Sequence, residues 1–276
     1  MGLVEAVVLG LVQGVTEFLP ISSSAHLVLL PWLLGWQDPG LTFDVGLHLG
    51  TFLAVIAYFW RDWWRIGWDF VQGIARLSVF GPQTRMGWLL LLGTIPGVVA
   101  GVLFEHEAET AFRDIRLVAA MLILLGLVLL LAERLAKHVR GMESVSLADS
   151  LLIGIAQAFA VIPGVSRSGA TISMGLFRGL QRESAARFSF MLGTPIILGA
   201  SAKRLSSALL GGLLPDDRLP FVLGAMASAV AGFATIALLL RYLQRHSTMP
   251  FVIYRLLLGL AILGLYVWRG PYSSAP

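Results

Sequence analysis

Residues 13–26 read QGVTEFLPISSSAH and lie between two apolar runs, 4–12 and 27–34. A carboxylate, an amide, an imidazole and hydroxyls therefore interrupt sequence that is otherwise apolar enough for a membrane. A charged side chain at mid-bilayer costs about 2.5–3.5 kcal/mol on insertion scales, so such a group usually faces a cavity or a partner. Pro20 breaks a helix, and broken backbone in a membrane needs surrounding protein or a wet cavity. The plainer alternative is a kinked structural helix whose Glu17 is paired.

The composition predicts an integral membrane protein. Of the 276 residues, 57% are hydrophobic and 13% are charged, whereas soluble domains carry about 25% charged residues. Cysteine is absent, which excludes disulfide and thiolate chemistry. The net charge is +4, and the basic residues lie in short loops between apolar runs. We therefore expect one polytopic domain over residues 1–276, embedded in a bilayer and without a nucleic-acid surface.

A second polar break occurs in the other half of the chain, where residues 163–171 read PGVSRSGAT within apolar sequence. The two halves look like copies of each other. The matched positions are Gln13 with Gln157, Leu19-Pro20 with Ile162-Pro163, and 22–24 with 166–168. Interrupted segments at corresponding positions point to a site at the interface of two repeats. We place these repeats at about residues 1–135 and 147–270.

The predicted fold is all-α, with an inverted-topology repeat, six transmembrane helices and two re-entrant helical hairpins. The predicted spans are 45–60, 86–104, 117–132, 188–202, 221–240 and 251–268. Connections 61–85 and 241–255 carry four and three arginines, so the positive-inside rule makes them cytoplasmic. The acidic loop 105–116 and the loop 213–219 are then outside. With these orientations the repeats run in opposite directions, and the tips of the two hairpins meet near mid-bilayer.

Shorter features of the connections and helix faces are also predicted. We expect a charged aromatic belt at 61–65, an amphipathic connector at 66–85 and a charged turn at 178–187. Gly93, Gly97 and Gly101 recur at four-residue spacing and form a small-residue face. This face favours packing within the chain over a dimer seam, although a homodimer is allowed.

The segment around Arg167 has the composition of an anion site. Small residues let the backbone approach a ligand, and free N–H groups at a helix start bind anions. A guanidinium matches phosphate with two parallel hydrogen bonds. The alternative for Arg167 is a buried ion pair with Glu17. The substrate-binding candidates are Ser22, Ser24, Gly164, Ser166, Ser168, Gly169 and Thr171.

Glu17 and Gln13 lie one helical turn apart on the same face. Their oxygens suit a hard cation such as Mg²⁺ or Ca²⁺, and Glu17 is alternatively a general base. His26 with Ser22 or Ser23 can form a base and nucleophile pair. His26 can also protonate a leaving group, or be structural. A cation, an arginine, a serine and a histidine around one point indicate phosphoryl transfer.

At these residues the sequence closely resembles the undecaprenyl-pyrophosphate phosphatase family, the bacitracin-resistance type of bacterial membrane enzyme. The resemblance rests on segments 13–26, 163–171 and 186–192 (ARFSFML), and it covers essentially the whole chain. Two positions are notable. The first position of the family's Glu/Gln-x-x-x-Glu motif is Gln13 in this chain, an amide in place of a carboxylate. Ala25 occupies a position where Gly is expected.

The resemblance implies hydrolysis of undecaprenyl pyrophosphate to undecaprenyl phosphate and inorganic phosphate, which recycles the lipid carrier for peptidoglycan synthesis and confers bacitracin resistance. It also implies dependence on Mg²⁺ or Ca²⁺ and a site in the bacterial plasma membrane that opens to the extracytoplasmic side. The catalytic residues carried over are Glu17, Ser23, His26 and Arg167. By hypothesis Arg167 holds the pyrophosphate, Glu17 and Gln13 place the cation or activate the nucleophile, and Ser23 or a water attacks with help from His26.

Two other classes of protein share some of these features. A secondary transporter or lipid flippase also has inverted repeats with broken helices, and it differs in releasing no phosphate. An intramembrane serine protease would leave Glu17 and Arg167 without a role, and the chain lacks the Gly-x-Ser-x-Gly elbow of serine hydrolases.

Overall fold

The computed structural model describes the chain except residues 38–39, 77, 79–80, 105, 108–113, 212–214 and 270–276. Within the described ranges the chain is helical and forms no β-strand, which confirms the predicted all-α class. The helices are α1 (Leu3–Phe18), α2 (Ser23–Leu34), α3 (Gly40–Tyr58), α4 (Trp60–Ala75), α5 (Arg85–Leu103), α6 (Ile115–Leu135), α7 (Leu147–Ala158), α8 (Arg167–Phe177), α9 (Arg182–Gly211), α10 (Pro215–Leu243) and α11 (Met249–Arg269). Short 3₁₀ turns occupy Met142–Ser144 and Phe159–Val161.

The helices include several of membrane-spanning length. Among the described residues, five helices are long and apolar enough to cross a bilayer: α5, α6, and the parts of α9, α10 and α11 at 182–202, 218–243 and 249–268. They correspond to five of the six predicted spans. The sixth corresponds to α3, in which the described stretch 46–58 is an apolar helix. The chain thus has the architecture of a multi-pass α-helical membrane protein.

Both predicted breaks are present, and they have the same local structure. α1 ends at Phe18 and α2 starts at Ser23, while α8 starts at Arg167 after the turn that follows α7. The residues before α2 and α8, Ser22 and Ser166, adopt positive φ angles of 75° and 67°. Each of these serines accepts a hydrogen bond through Oγ from a backbone N–H in the first turn of its helix. Such caps satisfy N–H groups that a helix start leaves free.

Helix packing also repeats between the two halves. α1 packs on α10 as α7 packs on α5, and α10 contacts α3 as α5 contacts α9. Glycines make these contacts close: Gly14 of α1 lies against the Ser228 carbonyl, and Gly154 of α7 lies against the Gly93 carbonyl, without room for a Cβ. Exchange of the two halves therefore maps one set of helix contacts onto the other.

The small-residue face of α5 is used within the chain, as predicted. A Cβ on Gly93 would collide with Ser150 Oγ of α7, and a Cβ on Gly97 would collide with Ile196 of α9. A Cβ on Gly101 would meet no atom of a neighbouring element within 4 Å in the described part of the chain. The homodimer stays a prediction.

One predicted boundary is wrong because a helix continues past its apolar segment. The predicted belt at 61–65 lies within α4, which starts at Trp60. α9 starts at Arg182, inside the predicted turn 178–187. Its first charged residues are paired, since Arg182 bonds Glu133 and Arg187 donates to Asp62 at 2.7 Å. Paired charges allow a helix to extend beyond its apolar core.

The outer loops also differ from prediction where they are described. Residues 215–219 belong to α10 and do not form a loop. Residues 212–214, and most of the acidic loop 105–116, lie outside the described residues. At the end of the acidic loop that the structure describes, Asp114 caps α6 by accepting a hydrogen bond from the backbone N–H of Arg116 at 2.8 Å. Hydrogen bonds from the Arg116 side chain and backbone lower the pKa of Asp114 to about 2, so this cap stays ionised at neutral pH.

Arg255 is a correction to the prediction with consequences for the site. It was counted among the loop charges of 241–255, but it lies inside α11 and is fully buried. Its guanidinium donates to the Pro20 carbonyl of the first break at 3.2 Å and to the Gly164 carbonyl of the second at 2.8 Å. It also donates to Val165, Met121 and Leu122 carbonyls. A single side chain thus binds backbone oxygens that both breaks leave free.

Candidate active site

The two breaks meet through Glu17. Arg167 Nη2 donates to Glu17 Oε1 at 2.9 Å, although the two residues are 150 positions apart. Ser23 Oγ donates to Glu17 Oε2 at 2.6 Å, and Gln13 Nε2 donates to the same oxygen at 3.0 Å. The carboxylate is 6% exposed. Four of the predicted site residues are therefore within one hydrogen-bonded cluster.

Glu17, Ser23 and Arg167 of this cluster line a cavity of about 240 Å³. Its polar lining residues are Glu17, Ser23, Ser24, His48, Gln157, Ser166 and Arg167. Its other lining residues, here called the apolar wall, are small or aliphatic: Gly97 and Gly101 of α5, Ile196, Ile197 and Ala200 of α9, Ala158 of α7, and Ala160 and Val161 just after it. A ligand with a charged head and an apolar tail would match these two kinds of lining residue.

Several buried polar atoms around the cavity are unused. Within the described part of the chain, Nε and Nη1 of Arg167, Oε1 of Gln13 and both amide atoms of Gln157 have no hydrogen-bond partner. Buried polar groups are nearly always paired, and each exception needs an explanation. The alternative interpretation of Arg167, an ion pair with Glu17, is present in the structure. It uses only Nη2, however, and leaves the rest of the guanidinium available for an anion.

Gly193 makes room for Arg167. A Cβ at this position of α9 would overlap the Arg167 guanidinium. The space that the guanidinium occupies therefore requires a glycine at this position.

His48 is a member of the site that the sequence did not reveal. Its Nδ1 lies 2.7 Å from the Asp44 carbonyl oxygen, and because a carbonyl only accepts, Nδ1 carries a hydrogen. Its Nε2 lies 3.6 Å from Glu17 Oε2. The segment 45–60 was interpreted as a plain span. The only sequence feature that could have indicated a role for His48 is that it is a single imidazole within an apolar stretch.

His26 lies outside the cavity lining. Its Nδ1 is 2.7 Å from the Ser22 carbonyl oxygen and its Nε2 is 2.7 Å from the Tyr254 hydroxyl. The His26 and Tyr254 rings stack at 5.7 Å with an interplanar angle of 8°. No hydrogen bond joins His26 to Ser23 among the described contacts. A role for His26 in catalysis stays a prediction.

The other predicted substrate-binding residues divide into two groups. Ser24 and Ser166 line the cavity. The others support the tips: Ser22 bonds Ser24 at 3.1 Å, Ser168 donates to the Leu19 carbonyl at 3.0 Å, Thr171 donates to the Arg167 carbonyl at 2.7 Å, Gly164 accepts from Arg255, and Gly169 donates to Ser166.

The donor set fits a hard cation that is shared with a phosphate ligand. No group of three or more His, Asp and Glu side chains suited to a metal occurs among the described residues. Glu17 supplies one carboxylate, and the unpaired Oε1 of Gln13 is a second buried oxygen one turn away. Mg²⁺ in proteins is usually bound by one or two carboxylates, waters and substrate phosphates, so Glu17 and Gln13 are the residues that would hold it here.

Comparisons with known proteins agree closely with one another. The family described as Bacitracin resistance protein BacA matches residues 6–261. An undecaprenyl-diphosphatase of Pelotomaculum thermopropionicum is 50% identical over 269 residues, which cover 98% of this chain and 98% of that protein. A protein of the same name from Moorella thermoacetica is 48% identical over 98% of this chain and 100% of its own length. Another from Geobacter sulfurreducens is 48% identical over 95% of this chain and 98% of its own length.

Proposed function

The chain belongs to the BacA family of bacitracin resistance proteins, and we propose the following chemistry for its cavity. The protein hydrolyses undecaprenyl diphosphate to undecaprenyl phosphate and inorganic phosphate. The observation that carries this proposal is Arg167, which is paired with Glu17 through Nη2 and keeps Nε and Nη1 unpartnered among the described residues. Relatives named as phosphatases support hydrolysis and give no support to the transporter alternative.

Arg167 binds the terminal phosphate. Guanidinium N–H groups donate to phosphate oxygens, and Nε and Nη1, on two different edges of the group, are the nitrogens without a partner in the described structure. The salt bridge to Glu17 fixes the guanidinium in place before the substrate arrives. A positioned positive charge stabilises the negative charge that develops in phosphoryl transfer.

Ser23 is the nucleophile, with Glu17 as its base. The Ser23 hydroxyl already donates to Glu17 at 2.6 Å. As Ser23 Oγ attacks the terminal phosphorus, its proton moves to Glu17 and the bond from that phosphorus to the bridging oxygen breaks. The lipid monophosphate leaves with the bonding electrons. Glu17 gives the proton it took from Ser23 to the departing phosphate oxygen and is a carboxylate again. Water then attacks the phosphorus of the phosphoserine and gives a proton to Glu17, the bond from phosphorus to Ser23 Oγ breaks, and that proton returns to Ser23 Oγ as inorganic phosphate leaves. In the variant mechanism, Ser23 positions a water that attacks directly.

Mg²⁺ or Ca²⁺ would be held by Glu17 and Gln13, through the Gln13 Oε1 atom. When bound, the cation neutralises part of the diphosphate charge. Gln13 also donates to Glu17 through Nε2, so its amide orients the carboxylate whether or not a cation is bound.

The inverted repeat and its membrane placement belong to the same proposal. Two repeats, about residues 1–135 and 147–270, each contribute a re-entrant hairpin and three spans, with α3 as the sixth span. The exchange of helix contacts between the halves and the matched caps at Ser22 and Ser166 support this arrangement. The site opens to the extracytoplasmic side of the bacterial plasma membrane. There the enzyme recycles the lipid carrier for peptidoglycan synthesis and removes the diphosphate that bacitracin sequesters.

Phosphate release from undecaprenyl diphosphate by the purified protein in detergent tests the function. Wild type with Mg²⁺ should release phosphate, and the chelated protein and Arg167→Ala should each lose about 10²-fold or more in rate. Arg116→Ala is the matched control, because Arg116 is an exposed arginine at the start of α6, and its rate should equal that of wild type. Folded wild type that releases no phosphate would contradict the function.

A further inference from the structure

Gln157 is a buried amide without a partner in the described structure. It lies in the last turn of α7, is 3% exposed, and has neither Nε2 nor Oε1 in a hydrogen bond. Its sequence counterpart, Gln13, uses Nε2 to bind Glu17. Gln157 thus has the environment of a structural core residue but none of the hydrogen bonds that would stabilise such a residue.

The side chain of Gln157 lines the cavity and lies beside Gly97. A Cβ on Gly97 of α5 would lie 3.3 Å from Gln157 Nε2. The glycine therefore leaves the space that the amide occupies. A buried amide that faces a cavity and meets no protein group is available to a ligand.

Gln157 is also a polar lining residue that lies against the apolar wall, at Gly97. Glu17, Ser23 and Arg167 form the reactive cluster, whereas Gly97, next to Gln157, belongs to the apolar wall. A lipid diphosphate has its groups in the same order: the terminal phosphate, the proximal phosphate that is esterified to the lipid, and the hydrocarbon chain. With the terminal phosphate on Arg167 and the chain along the apolar wall, the proximal phosphate is the group next to Gln157.

We propose that Gln157 binds the proximal phosphate through Nε2 and thereby selects a lipid diphosphate over a lipid monophosphate. This inference rests on the proposed function. When the bond to the bridging oxygen breaks, the proximal phosphate gains negative charge, which the amide hydrogens stabilise. A lipid monophosphate has one phosphate for these two positions, and it takes the one at Arg167 because a hydrogen bond from a charged guanidinium is stronger than one from a neutral amide. Gln157 is then unpaired, so the lipid monophosphate binds more weakly than the lipid diphosphate.

The test compares two inhibitors on wild type and Gln157→Leu. The first is a polyprenyl methylenediphosphonate, whose P–C–P bridge cannot be hydrolysed, and the second is a polyprenyl monophosphate. In the variant, the inhibition constant of the diphosphonate should rise at least tenfold and that of the monophosphate should change less than twofold. The thermal midpoint without ligand should be unchanged or higher, because leucine replaces an amide that has no partner there.

Two further variants make the result specific. Gln157→Glu keeps the size but replaces the donor by an anion, so it should weaken the diphosphonate more than leucine does. Ser201→Ala removes another buried polar atom without a partner in the described chain, in α9 but outside the cavity lining, and should leave both inhibition constants unchanged.

The outcomes separate this inference from the function on which it rests. Equal weakening of both inhibitors, or unchanged diphosphonate binding in Gln157→Leu, overturns the inference while wild type still hydrolyses the lipid diphosphate. A Gln157→Leu protein that fails to fold also overturns it, since the amide would then stabilise the ligand-free protein. Wild type without phosphatase activity overturns the function itself.

Discussion

At the scale of single residues, the hydrogen bonds of Glu17 and His26 suggest a different role for each. Glu17 accepts hydrogen bonds from Ser23, Gln13 and Arg167. The hydroxyl is the only one of these donors that can become a nucleophile. His26 is bonded to Tyr254 and a backbone carbonyl instead. We therefore assign the base to Glu17 and keep the role of His26 as a prediction.

Replacement of Ser23 tests the nucleophile. Ser23→Ala removes the attacking oxygen, and we expect kcat for phosphate release to fall about 10³-fold or more while the fold is retained. Ser201→Ala, which also removes a buried hydroxyl, is the control and should keep its rate. A Ser23→Ala enzyme that keeps most of its activity would exclude an obligatory serine nucleophile and favour direct attack by water.

Replacement of Gly193 tests the placement of Arg167 without changing any polar group. Its Cβ would overlap the guanidinium, so Gly193→Ala should displace Arg167 and lower kcat/KM about 10²-fold. Gly199→Ala, in the same helix with no atom within 4 Å of its Cβ in the described chain, should be active. Full activity of Gly193→Ala would show that Arg167 functions in another conformation.

At the scale of elements, the two tips explain what the sequence could and could not predict. Both breaks could be predicted, because proline and serine in apolar sequence oppose a continuous helix. The meeting of Glu17 with Arg167 followed from the match of the halves. His48 and Arg255 could not be placed, since one polar residue in an apolar helix does not indicate which neighbour it faces. Helix ends were missed where ion pairs, as at Arg187, extend a helix past its apolar core.

Arg255 links the two tips, and its loss should loosen both. No described carboxylate neutralises it, so its stabilising contacts are its hydrogen bonds to five carbonyls. Arg255→Met leaves those carbonyls without a donor, at about 1–3 kcal/mol each where no water replaces it. We expect a marked fall in thermal midpoint together with lost activity. Arg255→Lys keeps the charge but has fewer donors, and it should be intermediate. Equal stability of all three proteins would contradict this role.

At the scale of the whole molecule, the helix contacts repeat between the halves while the chemistry does not. The all-α class and five of the spans were predictable from hydropathy alone. The sixth predicted span, 45–60, corresponds to α3, which ends at Tyr58. Orientation rests on loop charge, and the removal of Arg255 from the cytoplasmic loops leaves that side with the remaining arginines of 61–85 and 241–245.

The orientation can be measured with single cysteines, because the natural chain contains none. A cysteine at position 110, in the acidic loop, should react with an impermeant maleimide from outside intact cells. A cysteine at Met142 should react only after the cells are opened. The reverse pattern would invert the topology and turn the site toward the cytoplasm.

Ser23 and Arg167 occupy the same place in the two halves, the first residue of the helix after a capping serine. In the proposed mechanism one half contributes the attacking oxygen and the other the anion-binding group, so that neither half would be an enzyme by itself. A single chain that contains two repeats arranged in this way has one reaction centre, not two. Orthovanadate, which mimics the transferred phosphoryl group, should saturate at one equivalent per chain, and saturation at two would mean that the halves bind independently.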